Sequence, residues 1–444
     1  MKTLASRVTH SPAEGIRLDA PDARQQYIDW LRVLAVLLLF PYHTLRVFNA
    51  DDPFYVKAAH LSVPVSYALN FISVWHMPLL FVLAGASTYF ALGRRSSRQY
   101  LRERRLRLLV PLVFGIFVLI PPQTWYGGRF NSGYSASLLH YIVSGDFLRW
   151  NIQNGGDYYG GFGIGHLWFI MVLFLLSVIA LPLFSWGRKE RAAALLQTFS
   201  RRLAHPAGWF LAALLLTAGA ALPDPLGLKS FYYLVFFVLG YVAVCDGEFM
   251  RRAERHRLTA LAVGAALATW WTLHLTHRLL DLFGAGDRLG GSLLTEPIVF
   301  LRSLSAWLVI VGLLGFGRRY LDRPSPTLAY LSEASYPVYI LHQTVIVVAA
   351  FSIVGLRAAE PLQWLTLFVV SVAVTFAFYE AVRRFSIART LLGMRPLRRA
   401  STQAPAIEGQ RTATGAAPSA ATPAGAGAAA AASVSRRPSA SDGS

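Results

Sequence analysis

The sequence predicts an all-α fold: a polytopic integral membrane bundle of about ten transmembrane helices with both termini in the cytoplasm. Of the 444 residues, 55% are hydrophobic and only 15% are charged, and the mean hydropathy is +0.44. A soluble domain carries about 25% charged residues. Apolar runs of roughly 17–25 residues, the length that crosses a bilayer, recur along the chain. Basic residues cluster in every second connection between these runs, which is typical of a multi-pass protein.

The apolar runs give the predicted spans in order. They are 28–48, 66–92, 107–126, 166–186, 207–222, 230–245, 258–278, 296–316, 327–350 and 361–382. The fifth and sixth are short and are joined by PDPLGLK. If both were absent, every other span would keep its orientation.

The distribution of the 42 Lys and Arg residues sets the predicted sides of the membrane. Connections 93–107, 187–206, 246–257 and 317–326 hold 7, 5, 4 and 3 of them. The positive-inside rule places these connections and both termini in the cytoplasm. We expect the protein to be a multi-pass protein of the inner (plasma) membrane. Membrane topology therefore accounts for the net charge of +19. Nucleic-acid binding is not expected.

The sequence divides into three parts. Residues 1–26 are polar with scattered Arg and are predicted to be a cytoplasmic N-terminal segment, followed by a retained membrane anchor rather than a cleaved signal peptide. Residues 27–399 form the transmembrane domain. Residues 400–444, rich in Ala, Pro, Ser, Thr and Gly, are predicted to be a disordered cytoplasmic tail. Cys245 is the single cysteine, which excludes an intrachain disulfide and a Cys-based metal site.

Ionisable side chains inside the spans are candidates for function, because each costs about 2.5–3.5 kcal/mol to insert. Counted from the helix ends, His43, His342 and His76 reach similar depths, about 22 Å from the cytoplasmic side for the first two at 1.5 Å per residue. We therefore expect them in one layer slightly outside the midplane. No two share a ligand spacing on one helix, so no metal site is predicted. The full set is Asp29, Arg32, His43, His76, Glu296, Arg302, Glu333, His342 and Glu380.

Arg32 and His43 lie on one face of the first span. They are 11 residues apart, which is about three helical turns or roughly 16 Å. Asp29, three residues before Arg32, can pair with it, and Pro41 is predicted to bend the helix before His43. The arrangement predicts a fixed cation near the cytoplasm and a titratable imidazole deeper in the membrane. Alternatively, Arg32 and Asp29 anchor the helix at the interface, and His43 forms a hydrogen bond between helices.

The other candidates have two interpretations each. His76, in WHMP, either belongs to a polar site or only packs before Pro78. Glu333 and His342 share a helix and are either functional or structural. His166, in GIGHLWF, is expected at the outer mouth of the fourth span, as an aromatic-belt residue or as part of an acceptor site.

Two connections carry their own predictions. Arg102, Arg104, Arg105 and Arg107, in RERRLR, form a basic cluster that would bind lipid headgroups or, equally, the phosphates of a 3′-phosphorylated nucleotide. The outer loop 127–165 is rich in Tyr, Trp, Asn and Gly. This composition is typical of a sugar-contacting surface, although an ordinary polar loop would share it.

The run YIDWLRVLAVLLLFPYH, with ten residues between Arg32 and His43, resembles the signature of the membrane acyltransferase-3 family. WHMPLLFVLAGASTYF, RERRLRLLVPLVFG, GHLWFIMVLFLL and LSEASYPVYILHQTVIV resemble later landmarks of that family, in the same order. The resemblance covers about residues 26–395 and is nearest to the glucan-succinylating and O-acetylating members. Ala84 stands where relatives often have serine.

The resemblance implies an O-acyltransferase that moves an acetyl or succinyl group from cytoplasmic acyl-CoA to a hydroxyl of a periplasmic or cell-surface glycan. His43 would be the essential imidazole and Arg32 its companion. Acyl-CoA would be a substrate, with no permanently bound cofactor, and the partners would be the donor, a carbohydrate acceptor and membrane lipids. A thioester is already activated, so alignment and one positioned base suffice.

A transport function is the alternative. A proton-coupled transporter or a lipid-linked-sugar flippase could use the same buried Arg and His as a relay. The sequence shows no inverted pair of broken helices of the transporter kind. A structural scaffold would leave the buried charges without a purpose.

Overall fold

The computed structural model of the protein describes residues 25–149, 156–224, 227–275 and 295–397. Most of the predicted N-terminal segment, the tail and the side chain of Glu296 lie outside this description. Within the described ranges the chain is helical, and strand-type pairing is limited to one isolated bridge between Asn49 and Ser62. The predicted all-α class is confirmed.

The helices follow the predicted apolar runs. They are α1 Gln26–Leu45, α2 Val63–Arg94, α3 Ser97–Ser132, α4 Leu138–Val143, α5 Gly165–Ile179, α6 Leu181–Trp186, α7 Glu190–Ala204, α8 Pro206–Ala221, α9 Ser230–Ala243, α10 Gly247–Arg255, α11 Arg257–Trp270, α12 Thr295–Tyr320, α13 Pro326–Ile353, α14 Glu360–Val382 and α15 Ser386–Leu391. A π-helical turn, Trp271–Leu275, continues α11.

Six helices in the described part are long and apolar enough to cross a membrane: α1, α2, α3, α13, α14 and residues Pro297–Tyr320 of α12. Two further pairs, α7 with α8 and α9 with α10, are bent by 108° and 100°, which gives up to eight spans if each pair counts as one. Helix α5 is apolar but shorter than the roughly 20 residues that a span needs. The protein is therefore multi-pass, whereas a count of ten and the sides of the termini stay predictions.

Prolines shape the helices that carry the candidate site. In α1 the helix is interrupted at Leu38, because Pro41 has no N–H to donate to the carbonyl four residues earlier. In α3, Pro111 likewise leaves the Arg107 carbonyl without its helical partner. The Tyr336 hydroxyl donates to this oxygen at 2.6 Å, which joins α13 to α3.

Helix α2 is fixed by close backbone contact with α9. A Cβ atom on Gly85 would lie 1.9 Å from the Phe237 carbonyl oxygen, and one on Gly240 would lie 2.1 Å from the Val82 carbonyl oxygen. Small residues allow such an approach between membrane helices. The contact holds the middle of α2, and with it the side chains that α2 directs towards α1.

Candidate functional site

A cavity of about 500 Å³ lies at the end of the bundle where α1 begins and α2 ends. Helix α3 begins at the same end, and α13 and the residues after α14 also contribute to the wall. Its arginines are Arg32, Arg95, Arg104, Arg107, Arg389 and Arg395, and its acidic residues are Glu103 and Glu333. The wall is therefore strongly cationic, as expected of a site for an anionic ligand.

The inner wall of the cavity is apolar. Val36 follows Arg32 by one turn of α1, and Leu80 precedes Ser87, which also lines the cavity, by two turns of α2. Phe169 and Leu173 of α5 and Tyr339 of α13 complete this wall. The cavity thus combines a charged end with an apolar end, which suits a ligand that has phosphates at one end and an aliphatic arm at the other.

Arg32 is held in the cavity wall by two acceptors. Its Nη1 donates to Asp29 Oδ1 at 2.8 Å, and its Nη2 donates to Ser87 Oγ at 2.7 Å. The Ser87 hydroxyl in turn donates to the Leu83 carbonyl at 2.7 Å. Asp29 does not line the cavity. It therefore positions Arg32 rather than contacting a ligand there, and Ser87 supplies a hydroxyl one turn after Ala84.

The helical geometry of α3 directs two arginines of the predicted basic cluster towards the cavity and two away from it. Arg104 and Arg107, three residues apart and on one side, line the cavity. Arg104 Nη2 donates to Thr88 Oγ1 at 3.0 Å. Arg102 and Arg105 are exposed and do not line the cavity. Sequence alone gave these four residues equal weight, because the direction of α3 towards the bundle was not known.

Three histidines come together beyond the apolar end. The ring centroids of His43 and His342 are 5.1 Å apart, and those of His342 and His166 are also 5.1 Å apart. His342 Nδ1 donates to the Tyr339 carbonyl at 2.6 Å, and His166 Nε2 donates to the Ile340 carbonyl at 2.9 Å. A carbonyl only accepts, so the opposite nitrogen of each neutral ring carries a lone pair.

The free nitrogens of this histidine cluster (His43, His166 and His342) are buried. His342 Nε2, His166 Nδ1 and His43 Nδ1 have no hydrogen-bond partner among the described residues. Buried polar atoms are normally satisfied, so three unpartnered nitrogens in one cluster make it a candidate site. Within the described ranges these residues are not arranged as a group that could hold a metal ion.

The cluster differs from the expected layer in two ways. His166 is only 6% exposed and packs against His342, rather than opening to the outer interface. His76 donates from Nε2 to the Ala35 carbonyl at 2.7 Å, and Tyr42 lies between it and His43, with ring centroids 6.1 and 5.2 Å away. His76 therefore joins α2 to α1, and the Tyr42 ring contacts both His76 and His43.

Tyr339 joins the cavity to the histidine cluster. It lines the cavity, and its hydroxyl donates to the His166 carbonyl at 2.5 Å. Its ring centroid lies 6.1 Å from that of His342. One buried aromatic side chain therefore stands between the arginine-lined cavity and the imidazoles.

The opposite side of His43 faces the connection between α1 and α2. Its ring stacks on Phe54, with the centroids 6.4 Å apart and the planes at 20°, and Phe54 packs against Tyr158 of the loop 127–165, with the centroids 5.9 Å apart. Arg46 lies over the same Phe54 ring, 5.4 Å from its centroid. The loop that was predicted to contact sugar therefore meets His43 through one aromatic residue.

Hydrogen bonds hold the connection between α1 and α2 in place. The Tyr55 hydroxyl donates to Asp157 Oδ2 at 2.5 Å, and burial raises the pKa of the Asp157 carboxyl. Lys57 Nζ donates to the carbonyls of Asn49 and Arg46. Burial lowers the pKa of Lys57 to about 8.

The remaining predicted residues lie apart from the histidines. Glu333 lines the cavity and accepts from Arg389 Nη2 at 2.7 Å. Glu380 accepts from Tyr330 at 2.8 Å and from Arg383 at 3.0 Å, which makes it structural. Arg302 lies over the Trp271 ring at 5.7 Å.

Sequence reasoning missed part of the site. Tyr339 precedes His342 by three residues in SYPVYILH, so helical spacing could have placed it beside the imidazole. Ser87 and Phe54 carry no such signal, because their partners lie on other elements. The residues missed are Phe54, Ser87, Arg95, Tyr339, Arg389 and Arg395.

Comparison with known proteins agrees with these observations. A family model described as an acyltransferase domain matches residues 25–380. "Glucans biosynthesis protein C" of Salmonella paratyphi B is 24% identical over 339 residues, which cover 72% of this chain and 82% of that protein, and the proteins of the same name from Salmonella agona and Salmonella enteritidis are 23% and 24% identical with the same coverage. No solved structure matches. The chain belongs to the membrane acyltransferase-3 family and is an acyltransferase rather than a transporter.

Proposed function

We propose that this acyltransferase moves an acetyl or succinyl group from acyl-CoA in the cytoplasm to a hydroxyl of a glycan on the other side of the inner membrane. The observation that carries the proposal is one chain of contacts. Tyr339 lines the arginine-lined cavity and also contacts His342 of the histidine cluster, and on the other side of this cluster His43 stacks on Phe54 of the connection between α1 and α2. Donor and acceptor would therefore meet at His43 from opposite ends of the bundle.

The donor fits the cavity by chemistry. Phosphates of coenzyme A would be bound by Arg104 and Arg107, since guanidinium groups form paired hydrogen bonds with phosphate. The aliphatic arm would run along Val36 and Leu80 and past Tyr339, so that the thioester reaches the histidine cluster. Arg32, oriented in advance by its two acceptors, would bind a donor phosphate or polarise the acyl carbonyl.

The acceptor would approach from the outer loop. Phe54 is only 2% exposed, so it and Tyr158 would offer aromatic faces once an acceptor displaces Arg46 from the Phe54 ring, and Arg46 would then offer hydrogen-bond donors beside them. Sugars bind such surfaces by stacking and by hydrogen bonds to hydroxyls. The name of the Salmonella relatives supports a glucan as the acceptor class.

The reaction needs one base. His43 would take the proton of the acceptor hydroxyl as its oxygen attacks the thioester carbonyl. The new C–O bond forms, the C–S bond breaks, and the proton passes to the coenzyme A thiolate, so no other reactant is required. A positioned base contributes about 10²–10⁴-fold to the rate. The lone pair of His342, 5.1 Å away between ring centroids, would help to hold the proton.

The test is release of free thiol from acetyl-CoA and succinyl-CoA by purified protein with mixed glycan acceptors. We expect acceptor-dependent release that falls at least about 100-fold in His43→Ala and also falls in Arg32→Ala. His60→Ala is the matched control, since His60 is exposed in the connection after Phe54. Folded protein that turns over neither donor would contradict the proposal.

The role of His43 has its own test. Direct transfer predicts that acyl-CoA alone leaves no acyl group on the protein. The protein is incubated with donor, quenched and analysed by mass spectrometry. An acylated His43 peptide in stoichiometric yield would show that the imidazole is a nucleophile instead.

A further inference from the structure

The residues that follow α14 form one wall of the cavity although they lie beyond the family match, which ends at residue 380. We call residues 383–397 the C-terminal segment. It comprises the short helix α15 and a turn, and it lines the cavity with Arg389, Gly393, Met394 and Arg395. The donor cavity is therefore incomplete without a part of the chain that the family match does not include.

Arg389 fastens this segment. Its side chain is only 11% exposed, and its Nη2 donates to Glu333 Oε1 at 2.7 Å. Its Nε donates to the Arg395 carbonyl at 2.7 Å, and its Nη1 donates to the Arg383 carbonyl at 3.2 Å. All three guanidinium nitrogens of Arg389 thus donate hydrogen bonds, and these bonds fix the main chain of Arg395 relative to α13.

Gly393 allows the turn of the C-terminal segment to pack closely against α13 and α3. Its φ is +70°, a conformation that other residues rarely adopt. A Cβ atom there would lie 2.3 Å from the Tyr336 ring and 3.0 Å from the Arg107 carbonyl oxygen. The backbone of the segment therefore lies directly on Tyr336, whose hydroxyl is bound to Arg107.

Among the described residues of the cavity wall, some arginines form an ion pair with a carboxylate and others do not. Glu333 pairs with Arg389, and Glu103 pairs with Arg95 at 3.0 Å. Within the described ranges Arg104, Arg107 and Arg395 have no ion pair with a carboxylate, and the charges of Arg107 and Arg395 are close enough to repel. Cations held together in this way lower their energy by binding an anion between them.

We infer that Arg395 joins Arg104 and Arg107 in binding the 3′-phosphate of the nucleotide end of coenzyme A, so that the C-terminal segment is part of the donor site. The inference rests on the proposed function. With the thioester at the histidine cluster beyond Tyr339, the nucleotide end would lie at the opposite, charged end of the cavity. Arg395 is exposed there, and a dianionic phosphate is the group that three arginines match best.

The experiment compares binding of coenzyme A and of 3′-dephospho-coenzyme A by isothermal titration calorimetry in neutral detergent. The proteins are the full chain, Arg395→Gln and the matched control Arg384→Gln, which removes an exposed arginine of the same segment that does not line the cavity. We expect Arg395→Gln to weaken coenzyme A binding about tenfold and to leave the dephospho form unchanged. The control should match the unaltered protein.

A second variant moves the segment without removing charge. Gly393→Val places atoms against the Tyr336 ring and should weaken coenzyme A binding while Arg395 is still present. Its melting temperature is compared with that of Arg384→Gln, so that displacement of the turn is distinguished from unfolding.

Each outcome points to a different failure. No binding by the unaltered protein would contradict the proposed function itself. Equal binding of coenzyme A by the unaltered protein and Arg395→Gln would refute the inference alone, and equal weakening of both ligands would refute the 3′-phosphate assignment. The titrations are repeated with added phosphatidylglycerol. If that lipid abolishes the difference between the two proteins, Arg395 binds a lipid headgroup instead.

Discussion

The guanidinium of Arg32 is oriented before any ligand binds, because Asp29 on its own helix and Ser87 on α2 both accept hydrogen bonds from it. Arginine has several rotatable bonds, and two fixed acceptors reduce the entropy lost on binding. The remaining donors of the guanidinium are thereby directed to the cavity.

Ser87→Ala tests this orientation. The change leaves Arg32 in place but removes one acceptor, and a hydrogen bond to a charged group is worth about 1.5–3 kcal/mol. We expect the KM for the acyl donor to rise about tenfold or more. The measurement is steady-state thiol release at varied donor concentration. Ser73→Ala is the control, since the Ser73 hydroxyl also bonds its own helix, at 2.8 Å to the Asn70 carbonyl, and does not line the cavity. An equal rise in both variants would contradict the role of Ser87.

Individual residues also show what a sequence can predict about this site. Arg32 and His43 are recognisable in the sequence for two reasons. Ionisable side chains are rare in apolar helices, and the spacing of these two residues predicts that they share one helical face. His166 and His76 could not be ranked in that way. Their distances to His342 and Tyr42 depend on how separate helices pack, and spacing along the chain does not contain that information.

At the scale of helices, the crossing of α2 and α9 determines where the α2 side chains point. Gly85 and Gly240 allow the two backbones to touch. A shift of α2 along α9 would move Ser87 relative to Arg32 and His76 relative to Ala35. Packing between helices thus controls the hydrogen bonds of the candidate site.

Gly240→Ala is expected to destabilise the protein. Its Cβ would lie 2.1 Å from the Val82 carbonyl oxygen, so the helices must separate. Overpacking of this kind typically costs about 1–3 kcal/mol. The melting temperature in detergent micelles should fall by several degrees. Gly93→Ala is the control, because nothing lies within 4 Å of the added carbon and alanine favours a helix. A melting temperature as high as that of the control would show that the helices do not make this contact.

At the scale of the whole molecule, the charged cavity and the aromatic connection between α1 and α2 lie at opposite ends of α1. The sequence predicts that the cavity end is cytoplasmic, from the basic connections. This orientation can be tested with single cysteines in a Cys245→Ser background, at Arg105→Cys near the cavity and Ala59→Cys in the opposite connection, both of which are exposed positions. In intact spheroplasts, a membrane-impermeant maleimide should label Ala59→Cys and should label Arg105→Cys only after permeabilisation.

The background protein without Cys245 serves as the control for non-specific labelling. Labelling of Arg105→Cys in intact spheroplasts would reverse the proposed direction of transfer. The donor would then have to bind on the outer side, which is incompatible with a cytoplasmic acyl-CoA.

The sequence by itself determined the membrane class and the all-α fold, and it made Arg32 and His43 candidates for function, because composition, helical periodicity and the rarity of ionisable side chains in apolar helices are properties of the chain. It also determined the family, through ordered motifs over most of the transmembrane domain. Only the tertiary structure decided which histidines meet, which arginines of α3 face inwards and that the C-terminal segment lines the cavity. These features arise between elements distant in sequence, where bends at prolines and close contacts at glycines set the geometry.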